Sequence, residues 1–232
     1  MRAASQAGLS PSTEDYLKAI FEIQSLGQAA QTSAIAESLA IAPASVSGMV
    51  KRLSEIGLVE HEPYRGVQLT KSGRRTALKM VRRHRILEVY LTSKLGYDWD
   101  SVHEEAERLE HAVSDELIER MAMALGNPRY DPHGAPIPSR DGAIEAPRLV
   151  ALSDVPLGET AELRLVNDRD GERLRYLASL GLRLGAVFEV IARQPFRGPV
   201  TVRLSGSVPR EQVVGHELAQ MLGCAIRGQE VG

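Results

Sequence analysis

Pro43-Ala44-Ser45-Val46-Ser47-Gly48-Met49-Val50-Lys51-Arg52-Leu53-Ser54-Glu55-Ile56-Gly57 is the stretch whose reading decides the fold. Proline suits the first turn of a helix, where its missing N–H is one the helix leaves unpaired anyway, and Gly57 supplies a left-handed stop. Between them Val46, Met49 or Val50, and Leu53 recur at helical spacing and form a buried stripe. Upstream, residues 32–39 predict a short helix capped by Thr32 or Ser33. Before that, Leu17, Ile20, Phe21 and Ile23 mark another helix, capped by Ser12 or Thr13. Downstream, Leu58-Val59-Glu60-His61-Glu62 and Val67-Gln68-Leu69-Thr70 flank Pro63-Tyr64-Arg65-Gly66, the pattern of a β-hairpin. Helix, turn, helix and hairpin in that order make a winged helix-turn-helix.

The face of the 43–57 helix opposite its apolar stripe carries Ser45, Ser47, Gly48, Lys51 and Arg52, with Pro43 and Ala44 at its start. Small residues let a helix backbone approach a DNA major groove closely, and helix N-termini suit phosphates. Thr32 and Ser33 on the preceding helix, and Tyr64 and Arg65 at the wing tip, complete the predicted DNA-contacting set. Lys71, Arg74, Arg75, Arg82, Arg83 and Arg85 are further candidates for phosphate contacts. No residue on the helix has the arginine-to-guanine or asparagine-to-adenine character of a base reader, so the operator sequence is not legible.

A second motif is His103-Glu104-Glu105-Ala106-Glu107-Arg108-Leu109-Glu110-His111. On a continuous helix Glu107, Glu110 and His111 fall at about 40°, −20° and 80° from His103, all on one face. Two imidazoles and two carboxylates there are metal-ligand types. Without a cation the like charges repel, and a divalent ion turns that repulsion into binding energy. A solvated charged face is the ordinary alternative, but lysine is absent from the chain after Lys94 and Arg108 lies on another face. His84 and Glu88 form a further pair four residues apart. The spacing excludes a His-Glu-x-x-His zinc protease, because Glu107 stands where the second histidine would be.

Charge is segregated along the 232 residues. Residues 1–95 carry 13 Lys and Arg against 8 Asp and Glu, residues 96–145 carry 4 against 12, and the remainder 11 against 10. A basic segment followed by an acidic one fits a polyanion reader joined to a cation receptor. Cys224 is the only cysteine, so no disulfide framework exists, and a reducing cytoplasm is the expected home. No apolar run approaches the length of a membrane span, and residues 1–12 lack a signal peptide's hydrophobic core. The expected fold is mainly α with small β, in three domains. These are a winged helix-turn-helix over residues 1–75, a helical domain with the candidate metal ligands and a proline-rich linker over 76–145, and a small β-barrel over 149–230. In the second, residues 72–95 and 101–125 predict helices, the stripe Leu109, Ala112 or Val113, Leu117, Met121 and Leu125 is either interface or core, and five prolines over 126–147 predict an irregular linker. His133 in that linker reads as a turn residue without a role. In the third, strands are predicted at 162–166, 187–192 and 200–204, with a helix near 172–180.

Assembled in order, these residues resemble the diphtheria toxin repressor family of metal-activated regulators, and its manganese transport regulator branch in particular. The resemblance rests on Thr13-Glu14-Asp15-Tyr16-Leu17, the winged helix, Arg83-His84-Arg85-Ile86-Leu87-Glu88, the segment Val102 to His111, Ser114-Asp115-Glu116, and Asp131-Pro132-His133-Gly134-Ala135-Pro136-Ile137-Pro138. The resemblance implies dimerisation for the second domain, and the last block resembles the family's SH3-like, ferrous-iron-transport-A-like domain. The resemblance implies a principal metal site of Asp15, Glu107, Glu110 and His111, and a second of His84, Glu88 and His103, to which Asp170 or Glu172 of the third domain adds a ligand. Lys18 departs from the branch, some members of which place a carboxylate there, so two separate sites are expected rather than a shared two-metal cluster. Iron-sensing relatives use methionine and cysteine where this chain has Asp15 and Glu107; two carboxylates make a harder site that suits Mn(II).

The resemblance therefore implies a manganese(II)-dependent, DNA-binding repressor of metal-uptake genes, not an enzyme. Its partners are a second copy of the chain and a palindromic double-stranded operator, with no membrane and no small-molecule substrate. Shared ligation between Asp15 and the second block would hold two recognition helices about 34 Å apart, one DNA turn. Iron(II) as corepressor is the first alternative. A carboxylate–histidine metalloenzyme is the second, and it leaves the 43–57 helix unexplained.

Overall fold

The computed structural model describes residues 9–62, 66–145, 147–167, 170–206 and 209–228. They divide into two compact units. One comprises the chain up to residue 84 with residues 110–112 and 138–143, and the other comprises residues 85–109, 113–137 and 144 onward.

The first unit is the expected winged helix-turn-helix. Helix α1 spans Pro11–Ser25 and is capped by Ser10, whose hydroxyl accepts from the Thr13 N–H. The cap predicted at Ser12 or Thr13 thus lies earlier, because Pro11 takes the first-turn position that needs no N–H. Helix α2 (Thr32–Ser38) starts at Gln31 without a side-chain cap, and α3 (Pro43–Glu55) starts at its proline as expected. Val46 and Leu53 of α3 are fully buried with Leu17, Ile20 and Ile35. Strands β1 (Val59–Glu62) and β2 (Gly66–Leu69) pair antiparallel, Val59 opposite Leu69. Gly66 has φ +72 and sits against the Ala30 carbonyl, where a Cβ would approach to 2.6 Å. The wing tip, including Tyr64 and Arg65, lies outside the described residues.

Helix α4 runs from Lys71 to Leu95, and its first half belongs to this unit. The rest of α4 packs in the second unit with α5 (Val102–Leu109) and α6 (Asp115–Ala124) around Ile86, Leu87, Leu91, Val102, Ala106, Ile118, Ala122 and Ile137. The single helix predicted over 101–125 is therefore two. Ser114 accepts from the Leu117 N–H and starts α6, with Asp115 and Glu116 in its first turn. That cap competes with continued helix and wins. Only Glu107 shares α5 with His103; Glu110 and His111 lie in the turn that follows, so the common helical face expected for all four does not exist.

Beyond α6 a six-stranded antiparallel sheet in the order β3-β8-β4-β5-β6-β7 encloses the third domain's core. Its strands are Val150–Ala151, Thr160–Val166, Val187–Arg193, Val200–Leu204, Arg210–Val214 and Leu222–Ile226, numbered β3 to β8. Helices α7 (Gly171–Ser179) and α8 (His216–Met221) close it, and Phe188, Leu163, Leu174, Leu177 and Val202 fill it. Register shifts at Leu163/Leu165 and Val190/Ala192 bend the sheet. No single helix among the described residues is long and apolar enough to cross a membrane.

The proline-rich segment is irregular, as expected, yet tightly fixed. Asp131 Oδ1 accepts from the His133 and Ala135 amides at 2.8 and 2.9 Å, and the His133 carbonyl accepts from Val166 of β4. Gly134, at φ +87, lets this turn lie on the Arg164 carbonyl, which an added Cβ would approach to 1.9 Å. Gly134→Ala combines a left-handed strain with a backbone collision, and should cost at least about 2 kcal/mol and lower the thermal midpoint by about 5 °C. Calorimetry of the variant checks this; an unchanged midpoint would show the turn to be unimportant to the unit's packing.

Candidate metal centres and DNA-reading face

Three of the four residues assigned to the principal site come together in the first unit. Asp15, Glu110 and His111 each present a donor atom, all within 4.8 Å of one another. Asp15 and its neighbour Glu14 project from the first turns of α1. His111 lies between them, its Nε2 2.7 Å from Asp15 Oδ1 and its Nδ1 3.0 Å from Glu14 Oε2. A neutral imidazole carries one N–H and so satisfies one of these carboxylates; the other contact calls for a proton or a metal ion. The donor set of carboxylate oxygens and one imidazole fits a hard to borderline divalent cation.

Glu110 is buried beside them, 1% exposed. Its Oε1 accepts from the Lys18 ammonium at 2.6 Å, its Oε2 accepts from His84 Nδ1 at 2.6 Å, and its carbonyl accepts from Arg83 at 3.1 Å. Burial alone would raise the carboxyl's pKa. The His84 bond and the adjacent Lys18 charge outweigh it and hold the value at about 2. His84, assigned by resemblance to the second site, is thus bonded to a ligand of the first.

Glu107, expected in the principal site, meets His103 Nε2 at 3.5 Å in the second unit. His103 Nδ1 lies 3.2 Å from Glu88 Oε1. Glu88 also belongs to a cluster absent from the sequence-based assignments: Glu88, Asp131 and His133 are all buried and present donor atoms within 4.8 Å of one another. His133 Nε2–H donates to the Trp99 carbonyl at 2.7 Å. That bond orients the ring and turns Nδ1 toward the carboxylates, 3.9 Å from Glu88 Oε2, as outer partners orient metal-binding histidines. Burial and the Glu88 charge raise the Asp131 pKa, against the pull of Arg85 at 3.4 Å. His133, expected to be an idle turn residue, is instead buried with two carboxylates. The sequence signal was Asp131-Pro132-His133, a turn that sets two ligand types two residues apart. Asp170 caps α7 through the Glu172 and Arg173 amides, and the Glu172 side chain is exposed; neither joins a ligand cluster among the described residues.

On α3, Pro43, Ala44, Ser45, Ser47, Gly48, Lys51 and Arg52 are all exposed, as is Ser33, while Thr32 is half-buried. A cleft of about 550 Å³ is lined by Asp15 and Tyr16 of α1 and by Ser45, Gly48 and Arg52 of α3. Arg82, Arg83 and Arg85, expected to reach phosphates, instead donate to the carbonyls of Pro138, Glu110 and Pro136. Chain turns lacking their own hydrogen bonds take up these guanidinium groups.

Comparison with known proteins accords with this arrangement. Residues 8–67 match the iron dependent repressor N-terminal DNA binding domain, and residues 70–139 match the iron dependent repressor metal binding and dimerisation domain. Residues 150–223 match the FeoA domain. The diphtheria toxin repressor of Corynebacterium glutamicum is 34% identical over 229 residues, 94% of this chain and 96% of that protein. The chain belongs to the diphtheria toxin repressor family. Its architecture of DNA-binding, helical and FeoA (SH3-like) domains is that of a metal-dependent transcriptional repressor. Among solved members, a manganese-dependent transcriptional repressor in complex with manganese is 41% identical with a TM-score of 0.88, over 92% of this chain and 99% of that one. The manganese regulator SloR is 32% identical with a TM-score of 0.80, over 94% of this chain and all of that one.

The depressed Glu110 pKa has a consequence for this repressor without metal. Its carboxylate stabilises the fold above the ordinary value of 4.5, and that contribution is lost as pH falls to about 2. The loss amounts to about 3 kcal/mol. Denaturant unfolding in chelator between pH 5 and pH 2 should show a steeper decline for wild type than for Glu110→Gln; parallel curves would refute it.

Proposed function

We propose that this chain is a manganese(II)-dependent repressor of metal-uptake genes, acting as a homodimer on a palindromic double-stranded operator. The carrying observation is the cluster of Asp15, from a helix of the reading head, with Glu110 and His111, which follow α5 in the chain. When bound, the ion supplies the positive charge that makes assembly of these ligands favourable. Asp15 then holds α1 against the 110–112 segment, and the cleft it shares with Ser45 and Arg52 places that restraint next to the reading helix. Ser45, Ser47, Gly48, Lys51 and Arg52 meet the major groove, with Thr32, Ser33, Pro43 and Ala44 on adjacent phosphates and Tyr64 and Arg65 at the wing. Metal favours the DNA-competent arrangement only to the extent that these ligands bind it better there.

The oxygen-rich donor set supports manganese, as do the manganese-dependent repressors among the solved relatives. Iron(II) is the runner-up, favoured by the iron-dependent naming of the matched domain families. We assign His84, Glu88 and His103 to a second metal centre, His84 lying one turn before Glu88 on α4, with Asp131 and His133 beside Glu88; Glu107 in the first is a ligand proposed on the resemblance alone. The domain limits proposed are residues 1–75, 76–145 and 149–230. Leu117 and Met123 on α6, both exposed, support a homodimer contact there. The lone, buried Cys224 fits a reducing cytoplasm. The metalloenzyme alternative is set aside, because the domain matches account for the reading head that it leaves without a purpose.

A gel shift of the chain's own promoter region with Mn(II), and with Fe(II) under anaerobic conditions, tests this reading. Retardation is expected with Mn(II) at lower concentration than with Fe(II), and not in chelator. Asp15→Ala should weaken the metal-dependent shift by about 100-fold or more, beyond the effect of removing a ligand's outer partner. Full Mn(II)-dependent retardation by this variant would refute the coupling.

A further inference from the structure

Lys18 lies one turn beyond Glu14 and Asp15 on α1, with its side chain 7% exposed. Withdrawing an ammonium from water is costly unless it is well paired. Here the pairing is with one atom in particular: Nζ sits 2.6 Å from Glu110 Oε1 and 3.5 Å from His84 Nδ1. Glu110 Oε1 is also the oxygen that lies 3.8 Å from His111 Nε2, which in turn lies 2.7 Å from Asp15 Oδ1. The lysine therefore rests on the carboxylate oxygen turned toward the other two ligands.

We infer that Lys18 is a tethered competitor of the regulatory metal, holding Glu110 Oε1 in the metal-free protein and setting the free-metal concentration at which the repressor responds. This rests on the reading of Asp15, Glu110 and His111 as metal ligands. Two opposing effects of the ammonium must be weighed. It keeps Glu110 in place, which favours binding, and it opposes an incoming divalent charge a few ångströms away, which weakens binding. The second dominates, because Glu110 is also held at Oε2 by His84 and at its carbonyl by Arg83. Removing the ammonium leaves the ligand positioned and lifts the repulsion. With Arg83 the lysine offsets two of the three charges of Glu14, Asp15 and Glu110, leaving less negative charge to attract a divalent ion.

The test is Mn(II) binding to the full chain, measured by competition with a fluorescent chelator, with free Mn(II) counted by electron paramagnetic resonance. Lys18→Met and Lys18→Gln should bind the ion about tenfold or more tightly at the site that His111→Ala removes, while Lys18→Arg keeps wild-type affinity. In chelator the two neutral variants should melt below wild type, and the stabilisation they gain from Mn(II) should exceed that of wild type. A purely structural lysine would lower the melting point and leave the affinity unchanged, and that result overturns the inference; using both neutral variants guards against one that misfolds. If His111→Ala removes no bound Mn(II) from the wild-type background, the assignment of the site itself fails, a separate outcome that takes the inference with it.

Discussion

Carboxylates withdrawn from water are the constraint on which both candidate metal clusters depend. Glu110 is buried yet remains ionised because Lys18 and His84 each take one of its oxygens. Glu88 and Asp131 are buried with His133 between them and Trp99, and there burial and like charge push Asp131 toward the protonated form. A buried charge without compensation costs several kcal/mol. Each cluster must therefore import a cation, protonate, or recruit a basic side chain.

The two clusters meet that demand differently. In the first, the basic residue sits on the ligand itself, and the Asp15 side chain is still 40% exposed. The first cluster is thus partly open to solvent and already neutralised in part. In the second, all three donors are buried, the His133 ring is oriented by a main-chain carbonyl, and Arg85 pairs with Asp131.

How much of this could be read from sequence follows the range of the interactions involved. Helix α3 and the β1–β2 hairpin were legible because Pro43, Gly57 and the apolar spacing act within a few residues. The break after Leu109 was not: the amphipathic stripe continues through Val113, Met121 and Leu125, and only the Ser114 hydroxyl shows that the chain restarts. Strands β7 and β8 escaped because Arg210–Val214 is largely exposed and Leu222–Ile226 contains a glycine, so neither alternates cleanly. Asp15 and His111 meet across 96 residues, which no spacing rule reaches; family resemblance supplied that pair. Asp131 and His133 fell in a proline-rich stretch whose composition resembles linker, and their burial comes from contacts with α4 and β4. Arg82, Arg83 and Arg85 look like a DNA-facing run but serve carbonyl groups of turns.

The 131–135 turn also changes how the third domain should be regarded. A slack linker would let the six-stranded sheet drift independently of the helices. Instead the His133 carbonyl accepts from Val166 of β4, Gly134 lies on the Arg164 carbonyl, and Arg183 stacks over Trp99 at 5.2 Å. Arg175 of α7 adds an ion pair with Asp100 at 3.0 Å. Two of these four contacts are made by backbone, which has little rotamer freedom with which to absorb a displacement. The FeoA domain and the buried cluster thus belong to one compact unit, joined through the 131–135 turn.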